Sequence, residues 1–395
     1  MYEPYVKLPL SKVARIERGK FSARPRNDPK YYGGEIPFLQ TGDIARAGRI
    51  IQGWTQTLNE LGLGVSKMFP RGTIFMSIAA NIGDVAISGF DAACPDSVVA
   101  VKPRNGFDPE WIFQSLKFSK NDLAALSTQN AQANLSLEKI EPFKLPVPPL
   151  PEQRKIAEIL RTWDEALEKL AALRAAKERR LSALRAALLF GRLRLGGRGH
   201  KWVPTRLDAV THELTKRNGA KGLGRDFVMG ITKAEGVVPM REQTIAGDIS
   251  RYKRLPPRAF AYNPMRINVG SIAMNERGGE VLVSPDYVVF ACNPDGLDPD
   301  YLDHLRKTSW WGHYINSGGS GSVRQRTYYD DLAALKLPLP ELDEQKAIAA
   351  VLNTARDDLA ATKREIEALT RQKRGLMQKL LTGEWRVALS RDKEQ

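Results

Sequence analysis

The sequence predicts an α+β fold in which two mixed α/β domains are joined by two long helices that pair as an antiparallel coiled coil. Two observations predict it. The 395-residue chain contains one segment twice, from Lys144 to Leu195 and from Lys336 to Val387, at a gapless offset of 192 residues. The globular segments before the two copies, which we call the first and second heads, share weaker motifs. Two similar halves favour a pseudo-two-fold arrangement.

Each copy of the repeat predicts one long helix. Prolines precede it, which suits a helix start, and Glu152 and Glu344 lie in the first turn, where the helix dipole favours negative charge. Gly191 and Gly383 predict the helix ends. Between these signals, apolar residues recur at the spacing of a coiled-coil seam. The predicted seam comprises Ile156, Leu160, Trp163, Leu167, Leu184, Leu188, Ile348, Leu352, Leu359, Ile366, Leu376 and Leu380.

The repeat also predicts a register for the helix pair, centred near position 172 of the first copy. Antiparallel pairing about this centre sets Arg174 opposite Thr362 and Lys373 opposite Trp163. A lysine in a seam needs its ammonium to reach solvent or a partner, and an indole face provides one. We therefore expect Lys373 to lie against Trp163.

Composition shifts along the chain predict the domain boundaries. Residues 1–143 form the first head, 144–195 the first long helix, 196–335 the second head, 336–387 the second long helix and 388–395 a charged tail. Short apolar runs bounded by turn residues, such as Thr73–Ile78 and Val85–Ile87, are typical of strands, whereas residues 109–126 favour a helix. The glycine-rich stretch Gly196–Gly199 predicts a flexible joint between the halves.

The composition indicates a protein that meets a polyanion. The formal net charge is +15, and a basic protein of this size usually faces nucleic acid, although a general Arg- and Ala-rich composition also contributes. Two cysteines, Cys94 and Cys292, predict no disulfide framework and a reducing compartment. The sequence has no apolar run of membrane-spanning length and no signal-peptide pattern, so we expect a cytoplasmic protein without a membrane partner.

Motifs for catalysis or metal binding are missing from the sequence. It has no Gly-x-x-x-x-Gly-Lys-Ser/Thr loop for ATP, and its four histidines show no metal-ligand spacing. The Asn-Pro-Met run at 263–265 lacks the second proline and the aromatic residue of the amino-methyltransferase motif. The Pro-Asp pairs at 95–96 and 285–286 lack the downstream Glu-x-Lys of a nuclease. We therefore expect no catalytic residue, metal or cofactor in this chain.

Clusters of basic and polar residues predict where the heads contact DNA. Phosphates are bound by Lys and Arg, and base edges are read by Arg, Asn, Gln, Lys, Ser or Thr. In the first head the predicted contacts are Lys20, Arg24, Arg26, Lys30, Gln40, Thr41, Asp43, Gln129, Asn130, Gln132 and Asn134. In the second head they are Lys216, Arg217, Lys221, Arg225, Thr232, Lys233, Arg324, Gln325 and Arg326. For any single residue, a solvated charge or a turn former is the alternative interpretation. Two basic heads on a fixed spacer suit a bipartite site on duplex DNA.

The repeated segment resembles a known family, the specificity (S) subunits of type I restriction–modification systems. The resemblance covers essentially the whole chain. Its most specific part is the pattern Leu-Pro-x-Pro-x-Leu-x-Glu-Gln-x-x-Ile, at Leu145–Ile156 and again at Leu337–Ile348. The run Ile36–Ile44 is similar to the strand motif of the family's first domain. The second copy departs from the first at Glu341 and Asp343, where the first has prolines.

The resemblance implies that each head is a target recognition domain that reads one half of a split, asymmetric DNA sequence. It implies that the paired helices are a spacer and the docking surface for two modification (methyltransferase) subunits, which use S-adenosylmethionine to methylate adenine. Restriction subunits, with ATP and Mg, are further partners whose presence the sequence leaves open. In such an assembly this chain is the non-catalytic specificity subunit, and S-adenosylmethionine, ATP and Mg belong to its partners.

Two other functions are compatible with the sequence. The first is a self-contained DNA methyltransferase or nuclease with a fused recognition module, which an activity assay on the purified chain would reveal. The second is a coiled-coil scaffold without a DNA function. A DNA-binding test at several salt concentrations decides the second case, because contacts to phosphates make the affinity fall steeply with salt.

Overall fold

The computed structural model describes residues 4–127, 134–195, 202–220, 222–317 and 326–388. It confirms the predicted α+β fold with two long, antiparallel helices. The chain forms two compact units. The first unit is Met1–Leu173 with Lys363–Gln395, and the second unit is Arg174–Thr362. Each unit therefore contains one head, the first part of one long helix and the last part of the other.

The strands of the first unit are β1 Val6–Pro9, β2 Ala14–Arg18, β3 Tyr32–Pro37, β4 Ile50–Ile51, β5 Thr57–Leu58, β6 Met68–Phe69, β7 Ile74–Ser77, β8 Val85–Ser88, β9 Ala92–Ala93, β10 Val98–Pro103 and β11 Lys144–Val147. Those of the second unit are β12 Val203–Arg206, β13 Thr211–Glu213, β14 Met229–Thr232, β15 Gly236–Pro239, β16 Lys253–Leu255, β17 Phe260–Tyr262, β18 Ile272–Met274, β19 Val281–Val283, β20 Val288–Cys292 and β21 Lys336–Leu339.

The helices are α1 Leu10–Val13, α2 Thr41–Arg46, α3 Glu60–Gly64, α4 Pro109–Phe118, α5 Lys120–Ala125, α6 Leu137–Ile140, α7 Leu150–Leu188, α8 Leu207–Val210, α9 Pro299–Leu305, α10 Ser309–Ser317, α11 Tyr329–Ala333 and α12 Leu342–Leu381. The long helices are α7 and α12, with 39 and 40 residues. The strands predicted near 73–78 and 85–87 are confirmed as β7 and β8. The helix predicted over 109–126 is confirmed as α4 and α5.

The core of the first head lies on both faces of a five-stranded sheet with the order β2-β10-β7-β8-β4. Successive side chains of a strand point to opposite faces. Ile74 and Met76 of β7 accordingly share a core cluster with Trp111 of α4, whereas Phe75 packs with Leu39 on the other face. Burial on both faces explains why β7 is a continuous apolar run in the sequence rather than an alternating one.

The second head is built in the same way around a four-stranded antiparallel sheet, β13-β20-β17-β18. Phe260 and Phe290 are cross-strand partners whose stacked rings have centroids 5.2 Å apart. They share a core cluster with Tyr301 of α9, whereas Ala261 and Val289 belong to the cluster on the opposite face. The weak sequence likeness of the two heads thus corresponds to one construction, a sheet with a helix over one face.

The long helices begin later than the predicted boundaries at 144 and 336. Lys144–Val147 and Lys336–Leu339 are strands, which pair antiparallel with β1 and β12 at the start of each head. Prolines at positions 146 and 148, and again at 338 and 340, exclude a helix interior there. The predicted helix ends are confirmed, because Gly191 and Gly383 follow the helices with φ of 67° and 83°, a left-handed conformation that favours glycine.

The glutamine of the repeated signature fastens each head to its long helix. The Oε1 atom of Gln153 accepts a hydrogen bond from the backbone N–H of Asp108 at 2.9 Å, and its Nε2 donates to the carbonyl of Pro148 at 2.9 Å. Asp108 is itself the N-cap of α4. Gln345 makes the corresponding two bonds in the second unit, each at 2.9 Å. The signature therefore joins the start of a long helix to the helix of the head.

The long helices pair antiparallel within each unit. Ile156, near the start of α7, shares a core cluster with Leu380, near the end of α12. Leu188, near the end of α7, shares one with Ile348, near the start of α12. The predicted seam residues are all buried or half-buried. The seam is weakest at residues 171–174 in the middle of α7, which are exposed.

The predicted partner of Lys373 is wrong. Its Nζ lies 2.5 Å from Oδ1 of Asp164, the residue after Trp163. A carboxylate compensates a buried ammonium better than an aromatic face does, which explains the choice of neighbour. Thr362, expected opposite Arg174, accepts a hydrogen bond from Lys177 Nζ at 2.9 Å instead.

An ion pair holds the beginning of each long helix to the segment that follows the other. Glu152 accepts from Arg386 Nε at 2.8 Å, and Glu344 accepts from Arg194 Nε at 2.7 Å. The two glutamates are equivalent in the repeat, and so are the two arginines. Hydrogen bonds from these arginines hold the pKa of both carboxyls below their usual range. The helix dipole favours Glu152 and Glu344 in the first turns, and the same two glutamates also bind the arginines that follow the opposite helix.

Candidate nucleic-acid interface

The basic segment of the first head is a loop between β2 and β3 that backbone hydrogen bonds anchor at several points. The N–H of Lys20 donates to the carbonyl of Cys94 at 3.0 Å, and the N–H of Ser22 donates to the carbonyl of Val65 at 3.0 Å. Lys20 and Arg24 are exposed, and neither has a carboxylate partner among the described residues. The loop therefore presents two uncompensated cations on a fixed backbone.

Two further cations of this loop have partners on the surface. Arg26 makes a bidentate ion pair with Asp96, with distances of 2.9 and 2.6 Å. This pair raises the pKa of Arg26 and lowers that of Asp96. Lys30 pairs with Asp28 at 3.0 Å and lies over the ring of Tyr31. Exposed pairs of this kind contribute little to stability, so both cations remain available to exchange a carboxylate for a phosphate.

Asp43 is a correction to the predicted contacts. It is 4% exposed and sits in the first turn of α2, where it accepts hydrogen bonds from the backbone N–H of Gln40 at 2.9 Å and from Thr55 Oγ1 at 3.0 Å. Arg46 pairs with the same carboxylate. This arrangement is a capping box, and it leaves Asp43 no access to a base edge. Gln40 and Thr41 are half-buried at the start of α2.

Several predicted contacts lie outside the described residues: Gln129, Asn130, Gln132, Lys221, Arg324 and Gln325. Asn134, at the edge of the predicted polar loop, is exposed and forms an isolated bridge with Ala79.

The structure places the second head's predicted contacts at separate positions. Lys216, Arg217 and Arg326 are exposed. Thr232 and Lys233 line a cavity of about 720 Å³ in the second unit. The pairs at 216–217 and 232–233 and the single residue Arg326 lie in three different segments, so the predicted contacts of this head do not form one cluster.

Arg225, another predicted contact, has partners within the second head. It is half-buried, with its Nε donating to Glu242 at 2.8 Å and its Nη1 donating to the carbonyl of Ala246 at 2.7 Å. These bonds hold the 242–246 segment, so Arg225 has a role in the fold of the second head, and its contact with DNA stays a prediction.

Two further exposed side chains, Arg277 and Tyr328, are candidate contacts that the sequence did not predict. Arg277 lines the same cavity as Lys233 and has no carboxylate partner in the described part of the chain. Its neighbours in the sequence are two glutamates and two glycines, so it is not part of a basic cluster. Tyr328 is 54% exposed beside Arg326, and an exposed aromatic ring next to an arginine suits stacking on a base.

The chemistry of the two cysteines does not favour catalysis. Cys94 is fully buried, and burial raises the pKa of its thiol. Cys292 is half-buried, and burial raises the pKa of its thiol to about 12. Both side chains are therefore thiols, not thiolates, at neutral pH. Over the described ranges, no group of three or more His, Cys, Asp or Glu side chains is placed to hold a metal ion.

Comparison with known proteins identifies the first part of the chain. Residues 2–176 match the family described as the type I restriction modification DNA specificity domain. Over most of its length, the chain is similar to type I specificity subunits. It is 24% identical to the putative type I restriction enzyme MjaX specificity subunit of Methanocaldococcus jannaschii, over 96% of this chain and 93% of that protein. It is 23% identical to the MjaVIII specificity subunit of the same organism, over 78% and 77%.

Solved structures of type I specificity subunits show the same fold. The S subunit from M. genitalium superimposes with a TM-score of 0.63 at 14% identity, covering 95% of this chain and 96% of that one. A chain from a study of complex assembly and conformational transition of the type I R-M system gives a TM-score of 0.55 at 18% identity, over 98% and 100%. Across the described ranges, none of the helices combines the length and the apolar character that a membrane span requires.

Proposed function

We propose that this chain is the DNA-recognition subunit of a type I restriction–modification assembly in the cytoplasm, and that each head reads one half of a bipartite, asymmetric DNA target. The match of residues 2–176 to a DNA specificity domain carries the proposal. Three further observations support it. The second head repeats the construction of the first, and both heads expose cations. The chain also matches 93% of the length of the MjaX specificity subunit.

Selection of duplexes from a random library by the purified full chain tests this proposal. We expect two enriched sequence blocks separated by a gap of constant length and unspecified sequence. Binding should weaken steeply as salt rises, because each phosphate contact releases counterions. One uninterrupted block would contradict the bipartite target, and DNA binding that salt does not weaken would contradict phosphate recognition.

We further propose that the paired helices dock two modification subunits, which bring S-adenosylmethionine and methylate adenine, and that restriction subunits add ATP- and Mg-dependent cleavage. The support is the repetition: two units with equivalent helix starts offer two equivalent sites. Native mass spectrometry of the full chain mixed with modification subunits checks this. We expect two modification subunits per chain, and a complex that saturates at one would contradict it.

A further inference from the structure

A buried polar network joins the first head to both long helices. It consists of Lys373 of α12, Asp164 of α7 and Gln114 of α4, which are 5%, 6% and 0% exposed. Lys373 Nζ lies 2.5 Å from Asp164 Oδ1 and 3.4 Å from Gln114 Oε1. Gln114 Nε2 donates to Asp164 Oδ2 at 2.7 Å. Each of the three side chains thus contacts the other two.

The network continues from Gln114 into the head. Gln114 Nε2 also donates to Glu110 Oε1 at 3.2 Å, and Glu110 accepts hydrogen bonds from Arg49 Nε at 2.9 Å and from Arg49 Nη2 at 2.5 Å. Lys117 adds a second cation, 3.6 Å from Asp164 Oδ1. A continuous chain of directional contacts therefore runs from the loop before β4, through α4, to both long helices.

The charges in this network are compensated. Burial alone would raise the pKa of Asp164, but the positive charges of Lys117 and Lys373 outweigh it and hold that pKa below its usual range. A buried ion pair of this kind contributes little net stability compared with apolar side chains of the same volume. Its hydrogen bonds are directional, however, and apolar contacts are not. The hydrogen bond between Gln153 and the N-cap Asp108 holds the start of α4 at one point, and the apolar contacts of the core cluster add no direction. The network at Gln114 supplies a second directional point farther along α4, and two such points define the angle of the head.

The second unit does not contain this network. The repeat places Arg356 at the position of Asp164 and Leu181 at the position of Lys373. His304 of α9 occupies the place of Gln114 and contacts Arg185 of α7 at 3.3 Å and Asn353 of α12 at 3.0 Å. The glutamine of the signature makes equivalent bonds in both units, but farther along α4 and α9 each head has its own set of polar partners on the helix pair.

We propose that Gln114, Asp164 and Lys373 are positioning residues that fix the seating of the first head on the helix pair and thereby restrict the gap between the two half-sites. This inference rests on the proposed bipartite recognition. One extra base pair moves a half-site by about 3.4 Å along the duplex and rotates it by roughly 35°. A head held at one angle accepts one gap, whereas a head held directionally only at the start of α4 accepts neighbouring gaps as well.

The test is the gap preference of the full chain, measured by competitive binding to duplexes that carry the selected half-sites at gaps changed by one base pair. The variant Asp164→Leu/Lys373→Met removes both charges together and keeps the volume apolar. We expect its melting temperature to stay near that of the wild type. Its preference for the original gap should fall by about five- to tenfold, the size of one directional contact.

A second variant and a matched control separate positioning from general stability. Gln114→Met removes the hydrogen bonds between α4 and the two long helices but keeps the Asp164–Lys373 ion pair, and it should relax the gap preference in the same direction. The control is Lys177→Ala/Asp358→Ala, which removes an ion pair of 2.7 Å between α7 and α12 in the second unit. We expect that control to keep the wild-type gap preference.

The outcomes separate this inference from the proposed function. If the wild-type chain selects two blocks at one gap and both network variants keep that gap preference, the positioning role is wrong and bipartite recognition stands. If the wild-type chain selects no bipartite sequence, the proposed function itself fails. Relaxed gaps in the network variants, with unchanged half-site sequences, support the inference.

Discussion

Lys20 and Arg24 are exposed cations on an anchored loop of the first head, and the described part of the chain offers them no carboxylate. We predict that Lys20→Ala/Arg24→Ala weakens DNA binding about equally for all sequences, because phosphate contacts carry no base information. The slope of log affinity against log salt should fall by about two. Titrations at several salt concentrations measure it. Lys144→Ala, an exposed lysine of β11, is the matched control and should keep the wild-type slope.

Glu152 has a structural role that a substitution can isolate. Its carboxylate binds Arg386 and accepts a hydrogen bond from Tyr5 at 3.2 Å. Glu152→Gln leaves Arg386 without its charge partner, so we expect the first unit to lose about 1–3 kcal/mol of unfolding free energy. Urea denaturation at neutral pH measures this. Glu158→Gln, at an exposed pair with Lys155, should show no measurable change, and equal effects of the two substitutions would contradict this role.

The sign of the pH dependence at Glu152 follows from its depressed pKa. Its stabilising contribution is present above the unfolded pKa of about 4.3 and is lost as the pH falls through the lower folded value. The Glu152→Gln variant should therefore differ most from the wild type at neutral pH, and the two should converge in acid.

The local sequence around Asp43 and Arg225 is compatible with more than one role for these residues. Asp43 follows a strand and precedes a helix, so the same letters suit a base-reading loop or a capping box. The position of Gln40 three residues earlier decides for the box. Arg225 has no local signal of its role, since its partners lie 17 and 21 residues away. A single sequence shows charge but not which charges are already compensated.

At the scale of elements, α9 of the second unit carries a buried histidine that predicts a pH effect. His304 is fully buried between Arg185 and Asn353, and burial lowers its pKa to about 4. Asp303 and Lys307 are its other charged neighbours. An unfolded histidine binds a proton near pH 6.5, so the unfolded chain takes up more protons between about pH 6.5 and 4. Stability of the second unit should therefore fall as the pH drops through that range.

His304→Gln should remove this dependence. We expect the variant to lose about 2 kcal/mol less than the wild type between pH 7 and pH 5. Urea denaturation at both pH values measures the difference. His212→Gln, at an exposed histidine, is the control and should behave as the wild type does. A wild-type pH profile in the His304 variant would show that this histidine is not the titrating group.

The helical elements were predictable because their signals are local and periodic. The seam, the helix ends at Gly191 and Gly383, and the antiparallel pairing follow from repeated spacing. The partner of Lys373 was not predictable in this way. Asp164 lies outside the seam pattern, and Gln114 comes from a head 50 residues earlier. The pairing of β1 with β11 is equally non-local.

On the scale of the whole molecule, the repeat predicted two halves, but the compact units do not follow the halves along the chain. Each unit combines helix segments from both copies of the repeat. This follows from antiparallel pairing, which brings the start of one helix to the end of the other. A linear division at the glycine-rich stretch 196–199 therefore describes the order of the domains but not their packing.

The near-equal helices suggest a molecular ruler. We predict that inserting one heptad after Ala171 and another after Lys363 lengthens each helix by about 10 Å and preserves the phase of the seam. The gap between half-sites should then grow by at most about three base pairs, at about 3.4 Å each. The half-site sequences should not change. The methylated motif of the complex with its modification subunits measures the gap.

A four-residue insertion at the same two sites is the control for this prediction. It rotates the seam instead of preserving it, so it should be tolerated less well. Activity of the heptad variant on the original gap alone would rule out the ruler.

Exchange of one head shows whether the two heads read DNA independently. Residues 1–143 of the full chain are replaced by the corresponding head of a related specificity subunit, and duplexes are selected from a random library. We expect one half-site to change completely while the other half-site keeps its sequence. A change in both half-sites, or in neither, would contradict it.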